Sequence, residues 1–338
     1  MKKRLLVIAV LLMAAFVCIT VLNGMDTELS PNEPSGSGTA ATDTADIKPS
    51  SKGSPYKFYF ERLTPVEKRA YNAIIEKIYD MPERIAVPKI DGKELDNVFS
   101  ALLFDNPDLF FLGRKCAVET RMWLTYFSVD YIVDKADIAD MKAQLERECE
   151  AFEQTLTDPG NQWRTELEIH DHVIDRCEYH DPEGDLIYSS SYGALVNGRA
   201  ACEGYSKAVK LLLDRAGIEN ALISGVSENG EGSGGAHMWN IVNIGGDYYH
   251  LDCTWDDPVS DDGGKLRMYT YFNLSDEMIS GTHRDFSYDF VCKSTAENYY
   301  IKTGTYFESY SRSSESRLTD IITKSVKNGR YQIQLRFA

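Results

Sequence analysis

The chain has 338 residues, 43% of them hydrophobic and 11% aromatic, which is enough apolar material for a sizeable core and too much for wholesale disorder. Its length suggests two domains of roughly 150 residues, or one large domain with an extension. With 36 basic and 52 acidic residues the net charge is −16, so the body has no electrostatic attraction for phosphate backbones and nucleic acid is not an expected partner.

The only basic run, Lys2-Lys3-Arg4, precedes an apolar stretch from Leu5 to Leu22. A positive start followed by such a stretch is an export signal, long for a signal peptide and just long enough to span a bilayer. A signal peptide and an uncleaved anchor both fit. Lipidation of Cys18 fits less well, because Ala15-Phe16-Val17 places no small residue directly before it. From Asp26 to Lys57 the chain is rich in Ser, Thr, Gly, Pro and Asp, a solvated linker that cannot offset its own ordering entropy. The expected layout is a signal peptide or anchor over 1–25, a disordered linker over 26–56, a mostly helical region over 57–160 and a main domain over 161–338. That domain is expected outside the cytoplasm, secreted or tethered, meeting membrane only through the N-terminal segment.

Thr64-Pro65-Val66-Glu67 is a capping box with proline at the first helical position, and it leads into an apolar stripe at Ala70, Ile74 and Ile78. A second helix is expected over Lys93 to Phe104, ending before Asn106-Pro107. Alternation around Met122–Val133 predicts a strand or two, and Asp137 to Leu156 a charged amphipathic helix. After the turn signal Asp158-Pro159-Gly160, a helix should run from about Arg164 to Tyr179. Asn197-Gly198 marks a turn, and Ala201 to Ala216 predicts a helix stopped by Gly217. Short β-rich runs follow at Ala221–Val226, His237–Ile244, Asp247–Trp255 and Met268–Leu274. The apolar alternation Tyr331–Phe337 suggests a last strand. Helix first, then a sheet with tight antiparallel turns, argues for α+β over a doubly wound sheet.

Cys202 falls at the start of the predicted Ala201–Ala216 helix, where free N–H groups and the helix dipole favour a thiolate. Its bland alternative is a small buried hydrophobe. Gly198 and Gly204 flank it and would let a substrate backbone approach. His237 opens a strand that turns at Gly245-Gly246 and returns through Asp252. A two-residue loop pairs Ile244 with Asp247, which sets Trp239 opposite Asp252 and His237 opposite Thr254. His237 and Asp252 then share one face as diagonal neighbours, roughly 7–8 Å apart at Cα, within reach of a hydrogen bond. A thiol needs a base, and the base a carboxylate that fixes its tautomer. Cys202, His237 and Asp252 are those chemical types.

The segments Gly198-Arg-Ala-Ala-Cys202-Glu-Gly-Tyr-Ser-Lys-Ala, Gly217-Ile218, His237-Met-Trp-Asn and Asp247-Tyr-Tyr-His-Leu-Asp252-Cys-Thr-Trp-Asp resemble the core of the transglutaminase-like superfamily, in its bacterial and kyphoscoliosis-peptidase-type branch. The strong likeness spans roughly 165–275, and His170-Asp171 and Tyr192-Gly193 also resemble positions ahead of the family's cysteine. It implies a papain-like α+β core, with the nucleophile helix packed on an antiparallel sheet and a mostly helical region before it. It also implies roles: Cys202 as nucleophile, His237 as base, Asp252 as the base's partner. The expected chemistry is acyl transfer on amide bonds of extracellular protein or cell-wall peptide, with no cofactor. Hydrolysis is favoured over cross-linking because nothing marks an amine-side subsite. A non-catalytic module of the same fold is the competing reading. Tyr192, Trp239 and Trp255 are the candidate substrate-binding residues, Tyr192 also a weak candidate for the second oxyanion donor.

Other signals carry less. Gly230-Glu-Gly232-Ser-Gly234-Gly235 has the spelling of a dinucleotide loop, but a strand follows it, so a flexible loop before His237 is the better expectation. His170, His172, Cys177 and His180 are metal-ligand types, yet His170 and His172 would point about 200° apart on a helix. Asp256-Asp257 with Asp261-Asp262 lacks the spacing of a calcium loop. Asn273-Leu-Ser275 spells a glycosylation acceptor, and Ser311 to Ser316 suggests a surface loop. Cys116, Cys149, Cys177, Cys253 and Cys292 show no dense framework, and one or two disulfides among the six body cysteines stay open.

Overall fold

A computed structural model describes residues 47–228, 234–258, 265–284, 290–329 and 333–337. The export segment, most of the linker, Gly230–Gly232 and Asp261-Asp262 lie outside them. The chain divides into two compact units at Ala139/Asp140.

The first unit holds helices α1 (Phe58–Glu61), α2 (Pro65–Ile75) and α3 (Gly92–Asp105) and strands β1 (Ile85–Val87), β2 (Leu112–Arg121) and β3 (Leu124–Tyr131). Thr64 caps α2 as the capping box requires, the Thr64 N–H donating to Glu67 Oε2 at 2.7 Å. The stripe Ala70, Ile74 and Ile78 is fully buried. The Asp105 carboxylate at the end of α3 accepts the N–H groups of Tyr59 and Phe60 at 2.9 and 2.8 Å, anchoring the first turn of α1. The strands form an antiparallel sheet ordered β1-β3-β2. Sequence alternation over Met122–Val133 covered β3 but not β2, whose neighbours Phe110 and Phe111 are also buried. The two-residue hairpin tip exposes Met122 (82%) and Trp123 (81%), with Met122 at φ +54°.

The second unit contains α4 (Ile138–Glu153, beginning at the boundary), α5 (Gln162–Arg176), β4 (Glu178–Tyr179), α6 (Ser191–Leu195), β5 (Arg199–Ala200) and α7 (Cys202–Arg215). The boundary precedes the expected 160/161 division because α4 belongs to this unit. Arg215 near the end of α7 pairs with Glu146 and Glu153 of α4. Then come β6 (Asn220–Glu228), β7 (Gly234–Ile244), β8 (Asp247–Leu251), β9 (Phe272–Leu274), α8 (Asp276–Ile279) and β10 (His283–Arg284), followed by α9 (Tyr299–Lys302), β11 (Tyr306–Phe307), α10 (Arg312–Lys327) and β12 (Arg336–Phe337). A five-stranded antiparallel sheet, ordered β10-β6-β7-β8-β9, carries α7 on β6 and β7. The fold is α+β, with the cysteine helix lying on an antiparallel sheet.

Two local expectations are corrected. Ser311 is the N-cap of α10, not part of a loop, its side chain accepting from the Ser314 N–H. Asn273 is fully buried and its Nδ2 donates to Glu166 Oε2 at 2.7 Å, so it cannot serve as a glycosylation acceptor. All six body cysteines are free thiols. The last strand, β12, finds a parallel partner in β11.

Candidate active site

The register Ile244↔Asp247 through Asn240↔Leu251 is the one a two-residue turn at Gly245-Gly246 requires. Both glycines have positive φ, +65° and +97°, which is why the turn closes there. The ladder stops at Leu251, so Trp239/Asp252 and His237/Thr254 are not strand pairs as extrapolated. After Leu251 the chain turns, and the Asp252 carboxylate folds directly onto His237: Nε2 to Oδ2 is 2.7 Å. The diagonal proximity survives by a different route from the ladder that suggested it.

Asp252 is fully buried and saturated. Its Oδ1 accepts the N–H groups of Thr254 (3.0 Å) and Trp255 (3.2 Å), and its Oδ2 takes a second histidine, His283 Nε2, at 3.0 Å. Burial alone would raise its pKa, but His237 and His283 outweigh that and hold the carboxyl well below the usual carboxylate range. Because Asp252 only accepts, His237 Nε2 carries a proton, which leaves Nδ1 as the nitrogen available to the neighbouring Cys202. Burial disfavours a charged His237, yet Asp252 and then Cys202 overcome it and raise its pKa to about 10.

Cys202 is the first residue of α7 and, alone among the six body cysteines, is half-buried, not buried. Its N-cap, Ala201, has no capping side chain, so the first-turn N–H groups are not taken by a cap. One turn on, Ser206 Oγ lies 2.9 Å from Cys202 O and 2.8 Å from Met238 O, tying the cysteine's turn to the histidine's strand. The flanking glycines do other work than expected. A Cβ at Gly204 would sit 2.6 Å from Tyr188 O and 2.7 Å from the Ala200 side chain, so glycine is needed there for packing, not for substrate approach. Gly198 turns the chain at φ +70°.

The other expected residues divide. Trp239 is completely buried and lies beneath His237, rings nearly parallel (18°) with centroids 5.8 Å apart, so it supports the site and does not line a cleft. Trp255 is half-buried, 6.1 Å from the His237 ring and 4.9 Å from His283. Tyr192 is buried in α6, its hydroxyl donating to Gln144 Oε1 at 2.9 Å.

Two residues were missed. His283 comes from β10, a two-residue strand that no periodicity announces, and it is packed among Trp239, Trp255 and Tyr271. Tyr179, 48% exposed, lies near enough to Cys202 to interact with it electrostatically, and burial first, then Cys202, pushes its phenol up to about 12. The parallel pairing of Tyr179 with Ala200 brings it there, a contact no local pattern encodes.

The metal-type residues on and after α5 do not converge. His170 pairs with Asp256 (3.2 Å) and Asp171 (3.0 Å), while His172 stacks on Phe152 and His180 meets Tyr188 edge-on. Asp257 accepts from the Tyr205 hydroxyl at 2.6 Å. Two described groups do bring ligand types together, His237–Asp252–His283 and His250–Asp276–Cys292. In the first, the 2.7 and 3.0 Å spacings are those of hydrogen bonds to one carboxylate oxygen.

Residues 150–253 match the family model of the transglutaminase-like superfamily. No curated protein matches it. Among solved structures, a TGase is 13% identical over 51% of this chain and 50% of its own, with a TM-score of 0.29. A candidate cysteine protease from Cytophaga hutchinsonii is 13% identical over 43% of this chain and 55% of its own, TM-score 0.27. A candidate protease from Parabacteroides distasonis is 16% identical over 47% of this chain and 34% of its own, TM-score 0.25. The chain thus spans about half the length of the first two of these and a third of the last. Among the described residues, no helix is long and apolar enough to cross a membrane.

Proposed function

We propose that this is an exported thiol enzyme that performs acyl transfer on amide bonds of extracellular protein or cell-wall peptide, with hydrolysis favoured over cross-linking. One observation carries the reading. A half-buried cysteine at a helix N-terminus lies near enough to a histidine to raise its pKa, and that histidine's Nε2 is held at 2.7 Å by a buried carboxylate.

In this reading the Cys202 proton already rests on His237 as a thiolate–imidazolium pair, and the thiolate attacks the amide carbonyl carbon. The tetrahedral oxyanion is stabilised by the Cys202 N–H and the dipole of α7. On collapse the C–N bond breaks, His237 returns its proton to the leaving amine, and the acyl group stays on Sγ as a thioester. His237 then deprotonates water, or an incoming amine, which displaces Cys202. Asp252 keeps the imidazole in one tautomer throughout. The export reading rests on the charged and apolar start of the chain, and −16 of net charge suits a protein that meets a membrane only through that segment.

The test incubates the protein with a glutamine-containing protein and a tagged amine, and reads intact mass beside a Cys202→Ala control. Cleaved fragments or a one-dalton gain, lost in the control, support hydrolysis. Tag incorporation dependent on Cys202 would move the assignment to transglutaminase. No Cys202-dependent product across protein and cell-wall peptide substrates would overturn the enzyme reading in favour of a binding module.

A further inference from the structure

Beneath the proposed base lies a second hydrogen-bonded chain that the mechanism does not use. Trp239 Nε1 is 3.0 Å from His250 Nδ1, and His250 Nε2 is 3.0 Å from Asp276 Oδ1. An indole N–H only donates, so His250 Nδ1 presents its lone pair and the ring's one proton sits on Nε2, donated to Asp276. Asp276 is clamped by Cys292, whose N–H donates to its Oδ2 at 3.0 Å, while the Asp276 N–H donates to Cys292 O at 2.8 Å.

That tautomer decides what the cluster does. His250, Asp276 and Cys292 are metal-ligand types within reach of one another. A cation at His250 Nε2 would require the ring proton on Nδ1, facing the Trp239 N–H donor, whereas a ligating histidine donates from its far nitrogen. What the chain fixes instead is the indole. Its N–H is tied to His250, and its face lies under His237 at 18° and 5.8 Å. A Cβ at Gly225, which pairs with His237 across β6 and β7, would come within 2.8 Å of the indole, so this packing depends on glycine there. The negative face of an indole stabilises a cation within about 6 Å.

We propose that Asp276 and His250, acting through Trp239, form a positioning arm that holds an indole face beneath His237 and stabilises its imidazolium. This rests on the reading of His237 as the base. It makes His250 and Trp239 positioning residues that touch no substrate. The titratable groups facing His237 are Cys202 from α7, Asp252 after β8 and His283 on β10. Those facing His250 are Asp276, Cys292 and His283. Burial lowers the pKa of His250 and keeps it neutral, with Asp276 opposing.

The test is a histidine titration by NMR on the full-length protein, 13C-labelled at the six histidines and held in mild detergent. His250→Leu removes the acceptor for Trp239, and should lower the His237 midpoint by about one pH unit. His250→Asn, whose amide oxygen can accept in place of Nδ1, should restore it to within a few tenths. Should His250→Leu fail to fold, Trp239→Phe, which keeps a ring and loses the N–H, should lower the midpoint in the same direction. His170, outside the arm, is the internal control and should not move. An unchanged His237 midpoint in the Leu or Phe variant, an equal fall in His250→Asn, or a shift shared by His170 would overturn the proposal. A wild-type midpoint insensitive to Cys202→Ala would count against the thiol-site reading alone, because the comparison among His250 variants stands whatever the thiol does.

Discussion

Two buried histidine–aspartate pairs lie in the same unit, with carboxylates only four residues apart, at Asp252 and Asp256. In one, His237 Nε2 meets Asp252 at 2.7 Å, and in the other His170 Nε2 meets Asp256 at 3.2 Å. The pairs differ in what faces the second ring nitrogen. For His237 it is a half-buried thiol. For His170 it is another carboxylate, Asp171, itself held by Arg267 at 2.6 Å. His170 is further closed in by Tyr269, stacked at 5.2 Å, and Phe272 at 5.3 Å. Burial opposes a charged His170, but its two carboxylate partners win and raise it to about 9, while burial raises Asp256, so the pair keeps its proton. A buried histidine–carboxylate pair is therefore not a functional signature by itself. The third group decides: a thiol makes the pair a candidate for chemistry, and a second carboxylate makes it a strut.

The sharpest way to break that contrast is to remove the third group. Cys202→Ala should abolish turnover, a loss of about 10⁴-fold or more, with no change in melting temperature. Next come the two carboxylates, where the contrast predicts opposite readouts. Asp252→Asn should cost about 10³–10⁴-fold in kcat through a misoriented imidazole. Asp256→Asn should instead destabilise the fold by about 3 kcal/mol, seen in denaturant unfolding, because it removes one of the two carboxylates that balance a buried charged histidine. Similar stability losses in both variants would erase the distinction. His283→Gln, which removes one of four contacts on Asp252, should lower kcat by about 10–100-fold, the worth of one charge-assisted hydrogen bond.

The smallest effect is a slope with pH. His170 titrates near 9 folded against an ordinary value of 6.5, so its stabilising contribution is complete below pH 6.5 and is lost as pH rises through about 9. His237, raised to about 10, adds a loss of the same sign at higher pH. Melting temperature should therefore fall between pH 7 and pH 10, and fall less steeply in His170→Gln. Equal slopes would mean that His170 holds no proton of consequence.

Much of the second unit was legible because its signals are local. The cysteine-bearing helix announces itself by an apolar stripe and Gly217, and the β7–β8 register by two glycines forced to positive φ. What sequence missed depends on distant segments meeting. His283 arrives on a two-residue strand that pairs with β6, and Tyr179 on a parallel pair with β5. Trp239 shares a face with His237, as alternation requires, but alternation cannot say that the face is covered. Gly204 looked like an opening for substrate and proved to be a close contact between helix and loop backbone, a fact that lives in packing. α10 escaped notice because none of its side chains is buried, which leaves only a weak apolar period and a serine cap.

The central claim is that Cys202 is activated by His237, and its most direct test is the rate at which iodoacetamide alkylates Cys202 at pH 6, followed by peptide mass. The account predicts a rate at least roughly tenfold above that of free cysteine, falling to the free rate in His237→Ala, while the five buried cysteines stay unmodified. A Cys202 that reacts no faster than free cysteine, or that is indifferent to His237→Ala, would contradict it.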